Sequence, residues 1–255
     1  MLVRITFTGA DDSVDPVELL KISKDNPFVE WGILISANNQ GNPRYPTQPW
    51  IDNLLGMTKG TPVLMSCHVC GRWVRELAAA DLSLFTERPG MLKGFGRIQL
   101  NFGRRLLKWH EKFPDFLAAF GAENKKQWII QLHGSDASAA LFGQATACCD
   151  HQKAGRVVAP LYDLSGGTGK SPENWPPPIF TGFTGYAGGL GPDNLEVELP
   201  RIDHVAQEVN YWVDMESKVR SEDDKSFDLE KVKECIRIAR QYISQSFLNS
   251  CGCSC

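Results

Sequence analysis

Short stretches in which apolar and polar residues alternate recur along the chain. They run from Val3 to Thr8, Trp31 to Ser36, Pro62 to His68, Arg97 to Phe102, Trp128 to His133, Val158 to Asp163, Thr184 to Ala187 and Tyr211 to Glu216. A period of two, rich in β-branched and aromatic residues, predicts a strand at each. Most are separated by segments able to hold a helix: Gln48 to Leu55, Arg72 to Ala80, Pro114 to Gly121, Asp136 to Cys149, Asn194 to Val209 and Phe227 to Phe247. The last has the clearest helical signal. Asp228 can cap it, and Val232, Cys235, Ile236, Ala239 and Ile243 form an apolar stripe at helical spacing.

Strand alternating with helix implies parallel strands joined by right-handed crossovers, and eight such units close a barrel. No Gly-x-Gly-x-x-Gly turn follows the first strand, which weighs against an open doubly wound sheet. The expected fold is therefore a single-domain (β/α)8 TIM barrel over residues 1–248, with a cysteine-rich tail over 249–255.

The same alternation predicts which residues meet at the centre. Thr6 and Thr8, Ser66 and His68, Gln99 and Asn101, Gln131 and His133, Asp163, and Asp214 and Glu216 share the inward parity of their strands. The opposite parity is largely apolar, as in Ile5, Phe7, Ile98, Leu100, Ile130, Leu132, Val213 and Met215, which suits a face covered by helices. The polar inward residues fall at strand C-terminal ends, the face on which barrel enzymes hold substrates.

Composition adds limits rather than detail. The 255 residues are 42% hydrophobic and 22% charged, close to globular averages, and 27 basic against 30 acidic residues leave no long basic run for a phosphate backbone. Nucleic acid is not an expected partner. No stretch approaches the roughly 20 apolar residues of a membrane span, and the N-terminus has no apolar signal core, so a soluble, cytoplasmic protein is expected. Eight cysteines suit reduced thiols better than staples in a chain of this size. Cys251, Cys253 and Cys255 have no matching second cluster for a metal. Cys67 and Cys70 spell a CxxC, but Cys67 has outward parity and no second pair follows.

Two glycine clusters carry candidate chemistry. The run Ser165 to Ser171, with Gly166, Gly167, Gly169 and Lys170, resembles a truncated phosphate loop, but Leu164 stands where a Walker A motif needs glycine. The run Ala187 to Asn194, with Gly188, Gly189 and Gly191, follows strand seven and precedes a helix. Backbone amides and helix N-termini at that place commonly bind phosphate in barrels, and Ser217, Lys218 and Arg220 after strand eight are placed to complete such a site.

Several of these motifs resemble phosphoribosylanthranilate isomerases. Leu161-Tyr162-Asp163 with Gly166 to Lys170 and Trp175 is similar to their strand-six signature. Ala187-Gly188-Gly189-Leu190 with Pro192 and Asn194 is similar to their strand-seven phosphate loop, and Val213-Asp214 with Ser217 and Val219 to their strand-eight motif. Pro43-Arg44-Tyr45 resembles the segment whose arginine holds the anthranilate carboxylate. Gln131-Leu132-His133-Gly134 matches a motif carried there on strand four, whereas the count here places it on strand five. The resemblance implies an intramolecular oxidoreductase of tryptophan biosynthesis that binds a small phosphorylated or anionic metabolite and needs no cofactor. In it Asp163 is the general acid, Arg44 holds an anionic group, and Gly167, Gly188, Gly189, Ser217 and Lys218 contact phosphate.

This chain departs from that family at the base. Thr8 precedes Gly9 where the family has its catalytic cysteine, and a threonine hydroxyl is too weak an acid to stand in for a thiolate. His68 and His133, of inward parity and titrating near neutrality, are the expected replacements, with Asp11 a poorer one. Lys218 and Glu216 stand where the family has a glycine and a small polar residue. Two other readings stay open: a catalytically silent ligand-binding barrel, and a metal-dependent barrel enzyme using His68, His133, Asp163, Asp214 and Glu216.

Overall fold

The computed structural model describes residues 1–79, 81, 83–87, 91–101, 126–133, 143, 158–165, 169–179 and 182–244. Eight parallel strands close in sequence order, each beside the next and the last beside the first. They are β1 (Leu2–Thr8), β2 (Val29–Ser36), β3 (Leu64–Cys70), β4 (Arg97–Leu100), β5 (Gln127–Leu132), β6 (Val158–Asp163), β7 (Thr184–Ala187) and β8 (Tyr211–Met215). The protein is a (β/α)8 TIM barrel, as the alternation requires. Strand ends move by a few residues: β2 starts earlier than expected, and β3 runs two residues past His68.

Six α-helices are described: α1 (Pro16–Asp25), α2 (Gln48–Thr58), α3 (Arg72–Ala78), α4 (Ser83–Glu87), α5 (Leu195–Ala206) and α6 (Leu229–Ala239). Helix α6 starts where expected because the Asp228 side chain accepts from the backbone N–H groups of Glu230 and Lys231. It ends well before Phe247. The expected helices over 114–121 and 136–149 and the cysteine tail lie outside the described residues. Among the described residues, no helix is long and apolar enough to cross a membrane.

The parity argument describes the core. Ile5, Phe7, Ile98, Leu100, Ile130, Leu132, Val213 and Met215 are buried in one apolar layer with Leu19, Leu54, Leu199 and Ile236 of the helices, and Cys67 lies in the same layer. Inside the barrel, Ile129, Ala159, Leu161 and Trp212 form a smaller packed cluster. Gly185 makes room for it, because a Cβ there would stand 2.3 Å from the Trp212 ring. Glu30 and Arg97 form a buried ion pair toward the N-terminal end. The polar residues at the other end are thus held on a closed, fully paired sheet.

Candidate active site

A cavity of about 170 Å³ opens at the C-terminal ends of the strands. Its floor is Gln99, Gln131, Leu161, Asp163 and Asp214, and its rim carries Arg44, Gly188, Gly189, Glu216, Ser217 and Lys218. The loops that follow β6, β7 and β8 therefore meet over strand-end carboxylates, as barrel enzymes arrange their substrate face.

Asp214, near the end of β8, is buried, and the Thr8 hydroxyl donates to its Oδ1 at 2.7 Å. Burial drives its pKa up to about 8, the nearby charge of Glu216 adds to the rise, and the hydrogen bond from Thr8 pulls it partly back. The carboxyl thus holds its proton through most of the neutral range and releases it just above. Strand β2 must pass close by for this pair to form. Gly32 permits that approach, since a Cβ there would lie 2.2 Å from Thr8 Oγ1 and 2.9 Å from His68 Nε2.

Asp163, at the end of β6, accepts from Ser165 Oγ at 3.1 Å and from Gln131 Nε2 at 3.3 Å. Gln99 donates to Asn101 Oδ1 at 2.9 Å, while its own Oε1 is buried and has no partner among the described residues.

On the rim, Lys218 is exposed, with no ion-pair partner among the described residues. The backbone around it is shaped by glycine. Gly189 has φ 63°, in the left-handed region, and a Cβ there would stand 2.5 Å from the carbonyl oxygen of Gly169, so the loops after β6 and β7 touch backbone to backbone. Asn194, before α5, fixes this turn by donating to Gly189 O and to Ser171 Oγ, both at 2.9 Å, and accepting from Gly191 N at 2.9 Å.

Arg44 lines the cavity, but its guanidinium is already engaged. It donates to Glu216 Oε1 and to Asp224 Oδ2, each at 2.5 Å, and its backbone, with φ 67°, is held by Asp11, which accepts from its N–H. Two of its five N–H groups are thus taken, and its charge is already matched by carboxylates. Glu216 shares its charge with Arg44, yet its burial and the nearby Asp163 and Asp224 leave its carboxyl above the usual range. Arg220 does not line the cavity: it is fully buried and donates to Gly9 O at 2.5 Å, Asp11 Oδ2 at 2.9 Å and Asp224 Oδ1 at 2.7 Å. Despite the cost of its own burial, Asp11 is held below the usual carboxylate range by hydrogen bonds from Ser13, Arg44 and Arg220. It serves this clasp rather than proton transfer.

Neither histidine lines the cavity. His68 is buried, with Nε2 2.9 Å from Ser66 Oγ, and burial pushes its pKa down to about 3, so it does not titrate near neutrality as expected from sequence. His133 is half-buried, its Nδ1 3.3 Å from the carbonyl oxygen of Asp163. Gly167 lies outside the described residues. Among the described residues, no three or more His, Cys, Asp and Glu side chains gather as a metal set. Gln131 and Leu132 end β5 and His133 follows it, one strand later than in the isomerases that the motif resembles. Sequence reasoning gave Asp214 inward parity without assigning it a role in proton transfer; its signal was the pairing of that parity with Thr8 on the adjoining first strand.

Fold and site together define a TIM barrel with a polar, carboxylate-floored mouth. No family model and no curated protein matches the chain. Among solved structures it is similar to a truncated 3-deoxy-D-arabino-heptulosonate 7-phosphate synthase from Thermotoga maritima, with TM-score 0.58, 9% identity, and coverage of 94% of this chain and 86% of that one. It is also similar to a GH113 β-1,4-mannanase, with TM-score 0.51, 9% identity, and coverage of 94% and 97%. At that identity the likeness establishes the barrel fold.

Proposed function

We propose that the barrel is an acid–base enzyme that takes a small phosphorylated or otherwise anionic metabolite into its C-terminal mouth and moves protons with Asp163 and Asp214. The observation that carries this reading is Asp214, a cavity-lining carboxyl whose burial and hydrogen bond from Thr8 set its pKa at about 8, close to neutral pH. Lys218, Ser217, Gly188 and Gly189 are the anion contacts. Arg44, bound to Glu216 and Asp224, acts on the site mainly by holding Glu216.

The specific reaction favoured by the motif resemblance is a phosphoribosylanthranilate isomerase-like rearrangement. Asp163 gives a proton to the sugar ring oxygen as the ring C–O bond breaks, and the ionised fraction of Asp214 removes the proton from C2. The base thereby moves from position 8 to the carboxyl that the position 8 side chain hydrogen-bonds. A catalytically silent ligand-binding barrel is favoured by one observation, the pairing of Arg44 with two carboxylates, which offsets the charge it would offer an anthranilate carboxylate.

The test is turnover of phosphoribosylanthranilate followed by its fluorescence from pH 6 to pH 9. The expected profile rises with pH, is half-maximal near 8 and levels only toward pH 9, and Asp163→Asn and Asp214→Asn each lose about 10²- to 10⁴-fold, the usual worth of one acid or base. A flat profile, or full activity in Asp214→Asn, removes Asp214 from the chemistry. Substrate binding without turnover in the wild type selects the silent barrel.

A further inference from the structure

The C-terminal cavity holds more carboxylate than its own cations meet. In their direct ion pairs Arg44 and Arg220 set two guanidiniums against three carboxylates, those of Asp11, Glu216 and Asp224. Glu216 therefore has only a shared claim on Arg44: its Oε1 accepts from that guanidinium, while Oε2 has no partner among the described residues. Asp163 accepts from neutral donors, Ser165 and Gln131, and forms no ion pair among the described residues. Both carboxylates line the cavity, and the charge of Asp163 is close enough to help raise the Glu216 carboxyl. Asp214 keeps its proton at neutral pH and adds no charge. Of the two basic residues lining the cavity, Arg44 is engaged and Lys218 is not, among the described residues. The two sides of the rim differ accordingly. Lys218 rests against the loop after β7, where a Cβ at Gly191 would stand 2.3 Å from Lys218 Cβ, whereas Glu216 leans on Arg44 in the loop after β2.

We infer that the ligand of this cavity is a zwitterion, a small phosphorylated aliphatic amine whose phosphate meets Lys218 and the glycine loop and whose ammonium meets Asp163 and Glu216. The inference rests on the reading of the mouth as an anionic-metabolite site and adds a positive charge to that metabolite. A ligand carrying anions alone brings its charge toward two carboxylates that have no free cation to share. Gln99 and Gln131, which also line the cavity, suit hydroxyl groups between the two charged ends. A cationic amine also arrives with a proton, which the Asp163 carboxylate can accept and then give up in its acid role.

The test is titration calorimetry at pH 6.5 in the presence of EDTA. It compares glucosamine 6-phosphate with glucose 6-phosphate, which keeps ring and phosphate and replaces the amine by a hydroxyl. Wild type is expected to bind the amine about tenfold or more tightly, the scale of one charged hydrogen bond. Glu216→Gln and Asp163→Asn each keep the side-chain shape and remove one charge. Both are expected to shrink that preference while binding glucose 6-phosphate as well as wild type does or better, and Lys218→Ala is expected to weaken both sugars alike. Circular dichroism confirms that each variant is folded. Glucose 6-phosphate bound as tightly as the amine would overturn the inference and leave the anion site standing, whereas no binding of either sugar to wild type would overturn both. The inference also fails if the preference survives intact in Glu216→Gln and Asp163→Asn, or if glucosamine 6-phosphate binds only when Mn²⁺ replaces EDTA, the sign of a metal ion between the carboxylates.

Discussion

Asp214→Asn converts the buried carboxyl into a stability measurement. In the folded barrel the pKa of Asp214 stands at about 8, against 3.8 for an unperturbed aspartate, chiefly because burial disfavours the charged form. Between those values the folded protein keeps a proton that the unfolded chain has lost. The contribution is therefore fully present below the unfolded pKa and is lost as pH rises through the folded one. Each pKa unit is worth about 1.4 kcal/mol, so between pH 5 and pH 8 the wild type loses about 3 to 4 kcal/mol through this residue. Asparagine is close in shape, accepts the Thr8 hydrogen bond and does not titrate. The stability of Asp214→Asn relative to wild type should therefore rise by about 3 kcal/mol over that interval. Glu30 does not obscure the result: its pKa is lowered from 4.5 to about 2, so its contribution is lost only as pH falls below that window. Urea unfolding of both proteins at pH 5 and pH 8 supplies the four free energies. An equal difference at the two pH values would refute the assignment of a raised pKa to Asp214.

Two further outcomes follow from the packing. Gly32→Ala brings a Cβ to 2.2 Å from Thr8 Oγ1, so it should cost about 1–3 kcal/mol in urea unfolding, and a variant as stable as wild type would mean that Thr8 is free to move aside. Arg220→Met strips buried partners from Gly9 O and Asp11 and should cost about 3–5 kcal/mol by the same assay, with a loss under about 1 kcal/mol counting against the clasp.

The strands were legible because each carries its own period and because the polar residues of the upper interior break the apolar pattern at one end. Helix α1 was missed, although Asp15 accepts from Val17 N and Pro16 opens the first turn, a start signal that is readable in sequence. What single strands do not encode is depth. Parity turns His68 inward, but the stagger of neighbouring strands decides that it sits within the packed interior beside Ser66 and away from the cavity. Likewise the sequence offers Arg44 as a cation, and only the fold brings in Glu216 and Asp224, 172 and 180 residues away, to occupy it. Asp163 and Lys218 were easier to place because strand ends and the loops after them reach the mouth in any closed barrel.

Thr8 and Asp214 face each other across the junction of β1 and β8, and Arg220 spans the same junction to Gly9 and Asp11. The two partners of the proton-holding pair are 206 residues apart, a separation whose closure costs about 5 kcal/mol of chain entropy. During synthesis, β1 through β7 emerge before β8 exists, so a nascent chain carries Thr8 through the next 206 residues without the carboxyl it will serve. Until the eighth strand docks, the barrel stays open beside β1, and Asp163 stands at the mouth without the second carboxyl, the one that Thr8 holds.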